Sequence, residues 1–232
     1  ELGRDRSVDA PDLPGCGDSS PPEVATADGA VDALVAVLAD GARQLLDAAG
    51  EASLSLFAPA EAAALALRLA AALGPRVRQV VLDGWWAPSV VEARRWREAL
   101  PVLAPSAAGA HLLDAWHFLR DAEFAFPWYD GRIAAIRRIA PHLDPVQRHT
   151  VLVDLFKQPG AWHAAMGALA TAAADGMAAA PHGPSVALLH LDDDPGYRAP
   201  RGLPAHWQRV ERPRERSAAW ARVCALLSEP GR

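Results

Sequence analysis

Residues 53–74 read SLSLFAPAEAAALALRLAAALG. Ser53 to Phe57 is a short apolar run of strand length, and the segment after Pro59 is rich in Ala and Leu, as a helix would be. Pro59 suits the first turn of that helix, where a missing N–H costs nothing. Glu61 near the helix start complements the macrodipole, and Gly74-Pro75 supplies a stop. The next apolar run, VRQVVLDG (77–84), reads as a second strand. A strand, a helix and a strand in this order predict a parallel α/β sheet. The bend between the first strand and its helix is a place where many enzymes hold a nucleophile. Here it reads Ala58-Pro59-Ala60-Glu61-Ala62, without Ser, Cys or Thr.

On the N-terminal side, RSVDA (6–10) reads as a short strand and PDLPGCGDSSPP (11–22) as a loop of Pro, Gly, Asp and Ser. From Asp28 to Leu46 the apolar spacing is helical, with Val31, Leu34, Val35, Leu38, Ala42 and Leu45 on one stripe and Asp28 as N-cap. On the C-terminal side, the helical period dominates from Trp85 to about Gly176. Leu112, Trp116 and Leu119 recur at helical spacing, as do Ile133, Ile136 and Arg137, then Val151, Leu155 and Phe156, with prolines at 101, 105, 127, 141 and 159 as breaks. GPSVALLHLDDDPG (183–196) returns to a buried strand and an acidic turn. HWQRVERP (206–213) is a further strand, and ERSAAWARVCALLSE (215–229) a closing amphipathic helix. The expected architecture is α/β: a mostly parallel sheet flanked by helices, with an inserted helical cap. The core's first part is 1–84, the cap 85–178, and the last strands and helix 179–232.

The 232 residues, 51% hydrophobic and 22% charged, suffice for a sizeable core without disulfides or metal. A net charge of −5 argues against a nucleic-acid binder. Cys16 and Cys224 read as free thiols of a reducing, cytoplasmic compartment. Residues 1–10 carry no signal pattern, and the longest apolar run is interrupted by Glu61 and Arg68, so no membrane span is expected. Basic charge is almost wholly arginine, with Lys157 the only lysine; with abundant alanine, this suggests a GC-rich bacterial genome.

Asp12-Leu13-Pro14-Gly15-Cys16-Gly17-Asp18-Ser19 resembles the D-x-P-G-x-G-x-S loop of α/β-hydrolases, and SLSLFAPAEA stands where that family has its nucleophile elbow, G-x-S-x-G. RVRQVVLDG is similar to the strand after the elbow helix. LLDAWHFLRDAEFAFPWYDGRIAAIRR (112–138), with Trp116-His117-x-x-Arg120-Asp121 and Pro127-Trp128, looks like a helical cap of bacterial members. The resemblance spans nearly the whole chain and implies a hydrolase. It also implies that Ala60 occupies the nucleophile position, where a methyl group cannot attack a carbonyl. The family histidine belongs near residues 211–217, which read ERPRERS and contain none; His206 lies at the opening of that strand. The family acid corresponds to Asp192, Asp193 or Asp194. The oxyanion loop and the first strands of the family belong ahead of Glu1, although the backbone N–H of Glu61 remains a candidate oxyanion donor.

Three functions are thus open: a degenerate hydrolase homologue that binds a small apolar organic ligand under the cap; a lyase, cyclase or isomerase using Glu61, His117 and an Asp of 192–194 for acid–base chemistry; or an ester or amide hydrolase. His117 lies three residues from Asp114 and four from Asp121, a spacing that suits a protonated acid or, equally, a surface ion pair. Arg120 reads as a carboxylate clamp or as a salt bridge locking the cap. Trp85, Trp86, Trp116, Trp128 and Tyr129 read as pocket walls or as packing. The Asp192–Asp194 run reads as a solvated turn rather than a cation site. No histidine pair has zinc-ligand spacing, and no glycine-rich fingerprint follows a strand, so no metal and no cofactor are expected. Strand edges left bare would invite pairing with another chain, including a homo-oligomer.

Overall fold

In the computed structural model, residues 7–21, 30–176 and 183–229 are described. Helix α1 (Ala30–Ala49) leads to strand β1 (Leu54–Pro59), a 3-10 turn (Ala60–Ala62), α2 (Ala63–Leu73) and β2 (Val77–Asp83). Helices α3 (Val90–Glu98), α4 (Ala110–Asp121), α5 (Pro145–Lys157) and α6 (Pro159–Ala174) come next, then β3 (Ser185–His190), β4 (Gln208–Glu211) and α7 (Arg216–Ser228). The sheet order is β1-β2-β3-β4, and every neighbouring pair is parallel. The expected α/β fold with a parallel sheet and flanking helices is what forms.

Alternation along the strands explains the layering. Val80 and Leu82 of β2, with Val186 and Leu188 of β3, face a core that includes Ala63, Leu67 and Ala70 of α2. Val81, Ala187, Leu189 and Val210 face Val223, Leu226 and Leu227 of α7 on the opposite side. A strand buried on both faces reads as a continuous apolar run, and that is why VVL and VALL stood out in the sequence. The polar Gln79 is tolerated inside because its Nε2 donates to the Leu226 carbonyl at 3.0 Å.

The helical block has a core of its own. Trp96, Leu100, Leu103, Leu155 and Trp162 are buried together, and α3 opens with a capping box between Ser89 and Glu92. Helix α6 belongs to both bodies: Trp162 and Ala170 join this cluster, while Ala168, Leu169 and Ala172 pack on Leu34 of α1 and Leu65 of α2. The expected division at 178/179 and the Asp28 N-cap lie outside the described residues.

Three local expectations are corrected. Residues 7–10 form no strand. Pro59 does not open the helix: it ends β1 in extended conformation (φ −72°, ψ 169°), opposite Asp83, and a 3-10 turn precedes α2. Ile133 to Arg137 is not a helix. Only Ile133–Ala135 makes a 3-10 turn, and Ile136 then pairs with Ala125 in an antiparallel bridge, because both isoleucines stay largely exposed and no helical face is buried. Among the described residues no helix is long and apolar enough to cross a membrane.

Candidate functional site

Parallel strands deliver their C-terminal ends to one edge of the sheet, and ligands in such folds bind along that edge. Here the edge gathers the Ala60–Glu61 turn after β1, Asp83-Gly84 after β2, the His190–Tyr197 turn after β3 and Arg212 after β4. Ala60 forms the apex of the first bend and is only 6% exposed. Gly84 makes that closeness feasible. Its φ is +93°, and a Cβ there would meet Tyr197 at 2.6 Å, the Ala60 Cβ at 3.0 Å and the Gly196 carbonyl at 3.1 Å. The Gly84 N–H donates to the Leu189 carbonyl at 3.0 Å, stitching the end of β2 to β3.

Around this edge the charges are paired. Arg212 donates to both oxygens of Asp83, Nε at 2.7 Å and Nη2 at 3.2 Å, and to the Pro213 carbonyl at 2.9 Å. Burial works against the Arg212 charge, but the hydrogen bonding to Asp83, together with the electrostatic pull of Tyr197, Asp83 and Asp194, more than offsets it and holds its pKa above the ordinary arginine value. Asp194 is fully buried and accepts from Arg137 Nε at 3.0 Å and the Gly196 N–H at 2.8 Å, and also from the Arg138 N–H. Both guanidiniums lie over the Tyr197 ring, Arg212 Cζ 4.0 Å and Arg137 Cζ 4.8 Å from its centroid. Burial, reinforced by the Asp83 charge, raises the Tyr197 pKa. Glu61 is half-buried beside this group. Desolvation pushes its carboxyl above the usual range, reinforced by Asp83 and opposed by its own N–H and Arg137.

Two open cavities flank the paired cluster. One of about 460 Å³ has Trp85, Trp86, Phe126 and Tyr129 in its walls, with Glu92, Arg95, Asp130, Arg132, Arg198 and Arg201 around them. The other, of about 610 Å³, lies across the 198–201 loop and is bordered by Asp192, Trp207 and Arg209. Neither is lined by Ala60 or Glu61.

The residues singled out in the sequence are therefore distributed over several places. Trp85, Trp86 and Tyr129 do share one cavity. Trp128 packs against Trp96, Phe118 and Tyr129. Trp116 lies under the Arg148 guanidinium at 5.5 Å, and Arg120 is exposed and bound to Asp121 at 2.7 Å. His117 stands on α4, and no hydrogen bond joins it to Asp114 or Asp121. Asp192 is exposed, with its carboxylate 2.9 Å from His190 Nδ1, and Asp193 pairs with Arg214 at 2.6 Å. Of the three aspartates only Asp194 reaches the sheet edge buried. Among the described residues no group of three His, Cys, Asp or Glu side chains is placed to hold a metal.

Asp83, Arg137, Tyr197 and Arg212 carry the polar geometry of this edge, and the sequence alone did not single them out. A charged residue ending a predicted strand was the available signal for Asp83 and Arg212. Nothing local marks Arg137, whose partner Asp194 is 57 residues away.

No protein-family model matches the chain, and no curated relative does. Solved structures do resemble it. Epoxide hydrolase A from Mycobacterium thermoresistibile aligns with 94% of this chain and 81% of its own, at 15% identity and a TM-score of 0.58. An α/β-hydrolase enzyme from a Medee basin deep-sea metagenome library aligns over 93% of this chain and 76% of its own, at 16% identity and a TM-score of 0.49. At such identity the first likeness is one of fold: the chain has the α/β-hydrolase architecture.

Proposed function

We propose that this α/β-hydrolase-fold chain binds a small, partly apolar organic ligand beneath its helical block and does not run the covalent hydrolysis for which the fold is built. The observation that carries this reading is the paired sheet edge. The bend that would present a nucleophile has the methyl group of Ala60 at its apex, and the segment after the last strand offers Arg212. A guanidinium cannot act as a general base near neutral pH, and this one is further committed to Asp83 by two hydrogen bonds. The nearby buried acid, Asp194, is held by Arg137 and two backbone donors. The aromatic cavity bordered by Trp85, Trp86, Phe126 and Tyr129 is the ligand site of this reading.

The test pairs turnover with binding. Purified protein should leave 4-nitrophenyl acetate and styrene oxide at their uncatalysed rates, while 2-naphthamide quenches tryptophan fluorescence saturably. Trp86→Ala should weaken that binding about tenfold or more, given what an aromatic wall contributes. Turnover through a trapped acyl- or alkyl-enzyme would overturn the proposal.

A second reading is favoured by Glu61. A carboxyl whose pKa is raised by burial is suited to general-acid work in a lyase or isomerase, with Asp192, Asp194 or His117 as further proton-handling groups. Loss of a measured turnover in Glu61→Gln, with ligand binding retained, would establish it over the first.

A further inference from the structure

The aromatic cavity is unevenly charged. Its border carries four arginines, Arg95, Arg132, Arg198 and Arg201, against two carboxylates, Glu92 and Asp130. Both carboxylates are already engaged. Asp130 accepts from Arg132 through Nε at 2.8 Å and Nη2 at 2.5 Å, and this pairing lowers its pKa to about 2. Glu92 is held by the Ser89 N–H and hydroxyl, both at 2.8 Å, and those bonds lower its pKa as well. Arg198 donates from Nε only to a neutral group, the Asp192 carbonyl at 3.0 Å. Among the described residues, Arg95 and Arg201 form neither a hydrogen bond nor a salt bridge through their side chains. A chain whose net charge is −5 thus concentrates positive charge around one aromatic cleft.

From this juxtaposition we infer that the cavity takes a planar aromatic carboxylate, its ring against Trp85, Trp86, Phe126 and Tyr129 and its anionic group toward Arg95 and Arg201. Each part follows from the chemistry of the walls. Trp86 meets Phe126 edge to face at 5.9 Å and Trp96 at 5.2 Å, so its indole is fixed by neighbours and offers a preorganised apolar surface. The guanidinium fork matches a carboxylate through two parallel hydrogen bonds, which a point cation does not. The arginines come from different walls, Arg95 from α3 and Arg201 from the loop after Tyr197, so an anion seated between them would tie loop to cap. This inference rests on the ligand-binding reading proposed above and specifies the class of ligand for the same cavity.

Titration with 2-naphthoate and its neutral counterpart 2-naphthamide separates charge recognition from ring contact. At low salt the carboxylate should bind about tenfold tighter than the amide, the factor expected from one charge-assisted contact. Raising the salt should erode the carboxylate's advantage and leave the amide unaffected. The double variant Arg95→Gln/Arg201→Gln should remove the preference without changing amide binding. Arg94→Gln, on the same helix but outside the cavity lining, should leave both Kd values in place. Equal affinities for carboxylate and amide, or a preference that survives the double variant, would overturn the charge inference while the ligand-binding reading stands. Failure of both probes to bind would overturn the two together.

Discussion

Arg212 and Asp83 form a largely buried ion pair at this edge. Arginine there keeps its charge and locks onto the carboxylate that ends β2, with side chains 6% and 15% exposed. Removing one member strands the other charge in a desolvated site. Arg212→Ala is therefore expected to cost about 3–5 kcal/mol, read from the urea midpoint of unfolding. Glu61 gives an opposite expectation. Its folded pKa lies above the unfolded one, so between the two values the folded state binds more protons. Stability should fall as pH rises through that window and level off above it. Glu61→Gln removes this dependence. Urea midpoints between pH 4 and 8 should show the variant gaining on the parent as pH rises; parallel profiles would contradict the assignment.

At the scale of elements, the bend after β1 depends on the turn after β2. The tip of one loop is packed by a glycine of the next, and Gly84 serves both as a left-handed corner and as the space into which Tyr197 and Ala60 fit. A methyl group there adds backbone strain and a collision at 2.6 Å with a tyrosine ring already packed against two guanidiniums. Gly84→Ala is expected to destabilise by about 2–4 kcal/mol and to weaken Tyr197's packing, measurable as faster hydrogen exchange at the Leu191 N–H, which donates to the Tyr197 carbonyl. Element existence was largely readable from pattern. Strands with Val and Leu on both faces and helices stopped by Gly74 appear where their period places them. The misreadings are equally physical. Pro59 is compatible with a strand end as well as a helix start, and only pairing opposite Asp83 selects the former. Ile133, Ile136 and Arg137 have helical spacing, but no neighbour covers both isoleucines.

For the whole molecule, the exposed edge of β1 bears on assembly. Among the described residues β2 pairs with one side of β1 and nothing pairs with the other; Phe57 there is 37% exposed. An edge with free N–H and C=O groups is a template for another strand. Light scattering at rising concentration is expected to show self-association. Ser55→Glu should weaken it by placing like charges across any β1–β1 contact, while keeping a partner for Arg78, which now bonds Ser55 at 3.0 Å. A monomer at every concentration would refute this.

The layers of the molecule were written in local chemistry. Apolar periodicity, glycine stops and strand–helix alternation act over a few residues and leave their mark there, so the parallel α/β sheet and the helical block could be read from the chain. Residue identity also sufficed to show that the first bend has no hydroxyl or thiol at its tip. Which charges meet is a product of folding over distance. Arg137 with Asp194, Arg212 with Asp83, and Trp86 with Arg201 around one cavity join residues 57 to 129 positions apart. Pairings of that range depend on strand order and on how the helical block packs against α1 and α2, and no local spacing encodes either.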